Sequence, residues 1–141
     1  MHQILKKFKF HENLIYEYQN WYLILREEQL TFASMVLIEK KFKDRISDLS
    51  INSFIELKKI FNDIEKKIKP EIKYQKINYL YLMMVDKEVH MHIIPRYNKK
   101  ILFENISFQD FGWPYPPKLD KNNTVSKKIK KKIIKLIKKR L

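Results

Sequence analysis

Bulky apolar residues crowd three short segments near the start of the chain, NLIYEYQ, WYLILRE and FASMVLIEKK, each set off by polar clusters. Runs of this length, rich in Tyr, Ile, Leu and Val, predict three strands of an antiparallel sheet. The period then lengthens. Phe54, Leu57, Phe61, Ile64 and Ile68 recur at helical steps, which predicts a helix over about 51–69 with one buried face. Ser50 is placed to cap it and Pro70 to stop it. INYLYLMMV, Ile77 to Val85, predicts a long strand covered on both faces. DKE reads as a short turn into VHMHIIP, which completes a hairpin. Residues 98–120 show no period and include WPYPP, an extended, stiff stretch. Beyond Thr124, Val125, Ile129, Ile133, Leu136 and Ile137 draw an apolar stripe along a basic helix.

Composition narrows the chemistry. At 141 residues and 45% hydrophobic, the chain has the size of one domain and enough apolar mass for a core. No apolar run reaches the ~20 residues that span a bilayer. The opening MHQILKKFKFHENL lacks the apolar stretch and small-residue cleavage site of a secretory signal, so the expectation is a soluble, cytoplasmic protein. The absence of Cys excludes disulfides, thiolate catalysis and zinc ribbons. A single glycine, Gly112, excludes a P-loop and a Gly-rich dinucleotide turn. Any grip on phosphate must come mainly from side chains.

Charge divides the chain unevenly. Ten Lys or Arg and no Asp or Glu lie between Lys121 and Leu141, so residues 1–120 carry only +4 of the net +14. The reading is one domain over 1–120, with a basic amphipathic helix over 121–141 attached to it. Such a helix can bind nucleic acid or an anionic surface. The simpler reading docks its Ile stripe on the domain and leaves the lysines in water.

The densest chemistry lies in VHMHIIPRY. Side chains alternate across a strand, so His90 and His92 share a face about 6.6 Å apart, while Val89, Met91 and Ile93 point into the core. The pair has three readings: hydrogen-bonded structural histidines, a metal site with Glu88, or a phosphoryl-transfer site. Glu88 and His92 stand roughly 13 Å apart on a straight strand, too far for one ion with ~2 Å bonds. A third ligand would have to come from elsewhere, and His2 and His11 sit on a segment with no visible anchor. Neutral imidazole, with a pKa of about 6.5, can attack phosphorus and form a phosphoramidate that water then cleaves.

The stretch NYLYLMMVDKEVHMHIIPRY resembles the signature of histidine triad proteins, His-φ-His-φ-His-φ-φ with φ apolar, and is most similar to their bacterial diadenosine tetraphosphate hydrolase-like branch. WYLILREEQLTFASMVLI and ISDLS resemble that branch's upstream segments, and FQDFGWPYPP its Trp-Pro loop. The similarity runs from Trp21 to Pro117. It implies an α+β fold with a five-stranded antiparallel sheet and a packed helix, and usually a homodimer. It implies hydrolysis or transfer at the α-phosphate of a nucleotide conjugate through a nucleotidyl-histidine, with dinucleoside polyphosphates among the candidate substrates. By position His90 is the nucleophile and His92 a phosphate-binding group. Asn78 and Arg96 fall at nucleotide-contacting positions, Gln29 and Thr31 near the pocket, and Trp113 where it can close over a base or a partner subunit. No cofactor and no divalent metal is implied as essential. The first histidine of the triad is replaced by Glu88, which would serve by orienting an imidazole, as the buried Asp does in a serine protease. The alternative is a non-catalytic nucleotide- or RNA-binding protein that keeps the fold with a degenerate triad. A three-residue DKE loop would oppose Asn78 to Arg96 and place Asn78 on the face of His90.

Overall fold

The three apolar segments become β1 (Leu14–Glu17), β2 (Trp21–Leu25) and β3 (Met35–Glu39) of a computed structural model that describes residues 1–141. β4 (Lys76–Leu80) and β5 (His90–Arg96) complete a five-stranded antiparallel sheet in the order β1-β2-β3-β5-β4. The fold is α+β.

The pleat sorts the side chains. Trp21, Leu23, Leu25, Met35, Leu37, Met91 and Ile93 are fully buried on one face. There they meet Leu57, Ile60, Ile64 and Ile68 of the predicted helix in one continuous core. That helix begins as α3 (Ile51–Asn62), with the Ser50 hydroxyl accepting the Ser53 amide at 3.1 Å. Pro70 does not stop it. The chain widens into one π-type stretch, Asp63–Ile68, and resumes as α4 (Lys69–Ile72). Pro70 falls in the turn that directly follows the widened stretch, at the second residue of α4. The helix ends at Lys73, in left-handed conformation.

The opposite face carries His90 and His92 beside Ile24, Val36 and Ile38. It is covered by the N-terminal segment, which was expected to have no anchor. α1 (Gln3–Lys7) and the residue after it bury Ile4, Leu5 and Phe8 against Ile24, Val36 and Ile38. A short helix, α2 (Phe10–Asn13), leads from there into β1.

The expected tight hairpin does not form. β4 stops at Leu80, and Leu82, Met84 and Val85 are exposed rather than covered on both faces. Nine residues, 81–89, leave the sheet before β5 begins. The register is Leu80 to His92 and Asn78 to Ile94, two residues displaced from the expected one. A two-residue shift preserves the face, so Asn78 does lie on the side of His90. Residues 98–120, which show no period, contain a hairpin of β6 (Ile101–Phe103) and β7 (Ile106–Phe108). Its turn residues Glu104 and Asn105 have φ of 50° and 62°, the mirror-image turn that matches strand twist.

The basic tail forms α5 (Lys127–Lys138), capped by Ser126. Ile133 and Ile137 are fully buried in the main core. Lys130 pairs with Glu27 at 2.7 Å, and Glu71 receives both Lys139 and Arg140. The helix is thus built into the domain. Ile137→Ala is expected to lower unfolding free energy by about 2–5 kcal/mol, through lost transfer energy and the cavity left behind; urea denaturation measures it. No helix is long and apolar enough to cross a membrane.

Candidate active site around His90

His90 is 2% exposed, and a backbone contact fixes its ring. Nδ1 lies 2.6 Å from the carbonyl oxygen of Glu88. A carbonyl only accepts, so Nδ1 carries the proton in this bond. In the neutral ring the lone pair then belongs to Nε2. The same bond would stabilise the positive charge that develops when Nε2 attacks an electrophile. Extended backbone on either side of Val89 brings Nδ1 and that carbonyl together, so the residue at the first triad position orients His90 through its main chain.

The Glu88 carboxylate does something else. It lies 3.3 Å from Nε2 of His2, whose Nδ1 accepts the Ile4 amide at 3.4 Å and whose ring stacks on Phe42 with centroids 4.1 Å apart. The expected contact between this carboxylate and a triad imidazole is therefore corrected: the imidazole it orients is His2. This link ties α1 to the start of β5. In turn α1 positions Phe8, whose ring centroid lies 6.2 Å from those of both His90 and His92. The two imidazoles are edge-on to each other at 5.0 Å.

His90 and His92 line a cavity of about 190 Å³ with Lys7, Phe8, Arg26, Leu82 and Asp86 among its other walls. Lys7 is neutralised by Asp86 at 2.5 Å. Burial holds His92 far below the ordinary histidine range, at about 3; the Arg26 charge and then His90 act in the same direction, and Asp86 opposes them. His92 is therefore neutral at physiological pH. The sign of its effect on stability follows from linkage. The unfolded chain takes up a proton near 6.5 while the folded ring resists down to about 3. The effect is absent above pH 6.5 and destabilises the fold progressively below it. Urea midpoints of the wild type are expected to fall more steeply from pH 7 to pH 4.5 than those of His92→Asn; parallel curves would refute this.

Asn78, Arg96 and Trp113 meet in a neighbouring concavity of about 630 Å³, with Leu80, Pro114 and Tyr115. Arg96 is not a free cation there. Its guanidinium makes two bonds to Asp110, at 2.7 and 3.0 Å, and one each to Asn78 Oδ1 (2.8 Å) and the Tyr115 carbonyl (2.7 Å). Asp110 also accepts the amides of Tyr97, Gly112 and Trp113. Burial alone would raise the Asp110 carboxyl, but Arg96 and these amides outweigh it and hold it below its usual value. Arg96 thus fastens the Trp-Pro loop to β5, and Gly112 permits the closure, because a Cβ there would run into the carbonyl of Pro116. The bond from Arg96 leaves the amide nitrogen of Asn78 as a donor for the concavity.

Gln29 and Thr31 lie in neither space. Gln29 is fully buried and bonds the backbone of Arg26 and Ser34; Thr31 bonds the Pro95 carbonyl at 2.6 Å. Both brace the β2–β3 connection, so their expected place beside the pocket is corrected. Sequence reasoning missed Lys7, Phe8, Arg26 and Asp86. The signals were weak: Ile4 and Phe8 at helical spacing, and a lone arginine closing the apolar run WYLIL.

No family model matches the sequence, and no curated protein matches it. Solved structures do. A histidine triad protein from Sinorhizobium meliloti superposes with a TM-score of 0.76 at 16% identity, over 100% of this chain and 96% of that one. A hypothetical histidine triad nucleotide-binding protein from Sulfolobus tokodaii gives 0.67 at 19% identity, over 91% and 82%. The diadenosine triphosphate hydrolase of Plasmodium falciparum gives 0.64 at 16%, over 91% and 75%. The fold of this chain is that of the histidine triad proteins.

Proposed function

We propose that this chain is a histidine triad enzyme that hydrolyses, or transfers from, the α-phosphate of a nucleotide conjugate. The observation that carries the reading is the bond from His90 Nδ1 to the Glu88 carbonyl, which leaves Nε2 unprotonated within the cavity shared with His92. In the first step Nε2 bonds to the α-phosphorus, and the bond from phosphorus to the leaving group breaks with its electron pair on the departing atom. The departing group gains a proton, directly or from water. In the second step water, or another acceptor in a transferase, attacks the nucleotidyl-histidine, the P–N bond breaks and Nε2 is restored. His92, neutral, can donate a hydrogen bond to a phosphoryl oxygen. Asn78 offers a second donor from the adjoining concavity, where Trp113 and Tyr115 provide aromatic surface for a base. Glu88 supplies the carbonyl that orients His90 and the carboxylate that holds α1, so the loss of the first triad histidine leaves the nucleophile in place.

Dinucleoside polyphosphates, nucleoside phosphoramidates and aminoacyl-adenylates present the same phosphorus to this ring. Two copies are expected to act together: β4 is an open sheet edge with half-buried Ile77 and Tyr79 on one side and exposed Leu82 just beyond it. The test is turnover of a panel of these conjugates by the wild type and by His90→Asn. Release of a nucleoside monophosphate by the wild type alone supports the reading. Inactivity of both, with nucleotide binding intact, would leave the binding protein in its place.

A further inference from the structure

Two buried side-chain atoms in the whole chain lack a hydrogen-bond partner, Nε of Arg26 and Nδ1 of His92. Both residues line the same cavity. Buried polar groups are nearly always paired, so an unpaired atom on each of two residues that wall one cavity marks that wall as unfinished. Arg26 follows the end of β2, where its amide bonds the Ser34 carbonyl at 2.9 Å. Ser34 lies one residue beyond the Met35–Ile93 pair, so Arg26 sits one pleat further along the sheet than His92. It lies two strands away, roughly 10 Å, within the span of a long side chain.

Other charges nearby are already engaged. Lys7 is held by Asp86, and Glu27 by Lys130 and Lys9. Arg26 has no ion pair; its one bond is a long contact of 3.3 Å to the Glu28 carbonyl, and Glu28 acts on it only through space. Desolvation without a carboxylate partner leaves a guanidinium poised for an anion, and its planar fork suits phosphoryl oxygens. Building on the reaction proposed above, we infer that Arg26 is a specificity-determining residue that takes a second phosphate group of the ligand, beyond the one His90 attacks. The chemistry is shared by two sources: a β-phosphate on the leaving side, or a phosphate on the sugar.

The test is calorimetric binding of three ligands of one nucleoside, the 5′-monophosphate, the 5′-diphosphate and the 3′,5′-bisphosphate, to the wild type, Arg26→Gln and Arg26→Lys. The wild type is expected to bind one of the two-phosphate ligands at least tenfold more tightly than the monophosphate. Preference for the diphosphate places the second group on the leaving side; preference for the bisphosphate places it on the sugar. Arg26→Gln is expected to erase that preference and Arg26→Lys to keep part of it. A purely structural role for Arg26 would weaken all three ligands alike, and that result overturns the assignment. So would a wild type with no preference, or an unchanged preference in Arg26→Gln. Circular dichroism confirms that each variant is folded. The measurement needs no turnover, so absent hydrolysis would defeat the proposed reaction and leave the Arg26 assignment to stand or fall on binding. Failure of all three ligands to bind would overturn both.

Discussion

Alanine at position 90 is expected to lower kcat by at least ~10³-fold, the scale seen when the nucleophile of a covalent mechanism is removed. The expectation rests on one lone pair. His90 is the one triad ring whose tautomer is set by an observed partner: Nδ1 donates to the Glu88 carbonyl, which leaves the lone pair on Nε2. His92 cannot substitute, because its Nδ1 is buried without a partner and burial keeps the ring neutral without orienting it. His90→Asn is the sharper variant. Its amide can still donate to the Glu88 carbonyl, so loss of activity in a folded Asn variant reports the missing nucleophile rather than a collapsed strand. Steady-state kinetics with whichever conjugate the wild type turns over provide the check; activity within tenfold of the wild type would remove His90 from the chemistry.

Replacing Asp110 by alanine is expected to have the largest effect on stability, about 3–5 kcal/mol. The Asp110 side chain is 1% exposed and that of Arg96 4%. Removing the carboxylate strands a buried guanidinium and three amides at once. A single exposed pair would be worth far less. For a chain of this size the loss corresponds to a fall in Tm of roughly 10–20 °C, read by calorimetry. Because the carboxyl titrates below its ordinary value of 3.8, its contribution is present above that pH and is lost as pH falls further. This network fastens the Trp-Pro loop to β5, so the same substitution should loosen Trp113 over Asn78 and raise KM more than it lowers kcat.

Much of this architecture was legible in the order of the residues. Short apolar runs bounded by polar clusters located β1, β2 and β3, alternation put His90 and His92 on one face of β5, and the spacing of Leu57, Ile64 and Ile68 located the buried stripe of the long helix, although Phe54 at its start is exposed. The parity of Asn78 and His90 was also legible, since a strand pairing shifted by two keeps its faces. What failed had physical causes. INYLYLMMV is apolar enough to be a central strand, yet Leu82, Met84 and Val85 leave the sheet to approach the cavity. The β6–β7 turn uses Glu-Asn at positive φ, a weaker signal than Asn-Gly. Pro70 reads as a stop unless the preceding turn is known to be widened. At the site, His90 and His92 were evident from alternation and resemblance. Glu88 and Arg96 were evident as positions but not as roles, because their charge suggested phosphate chemistry while their partners, His2 and Asp110, lie far off in sequence. Lys7 and Phe8 reach the cavity only through the packing of α1 on the sheet, and Arg26 through the strand order that sets β2 two strands from β5, neither of which local pattern encodes.

The central claim is that the ring of His90 becomes transiently bonded to phosphorus. Rapid acid-free quenching during turnover of a nucleotide conjugate, followed by peptide mass spectrometry, addresses it directly. A nucleoside monophosphate adduct is expected on the peptide containing Val89 to Tyr97, localised to residue 90, forming and decaying at rates that match product release and absent from His90→Asn. Product accumulating with no adduct at that position, or an adduct carried by a different residue, would contradict it.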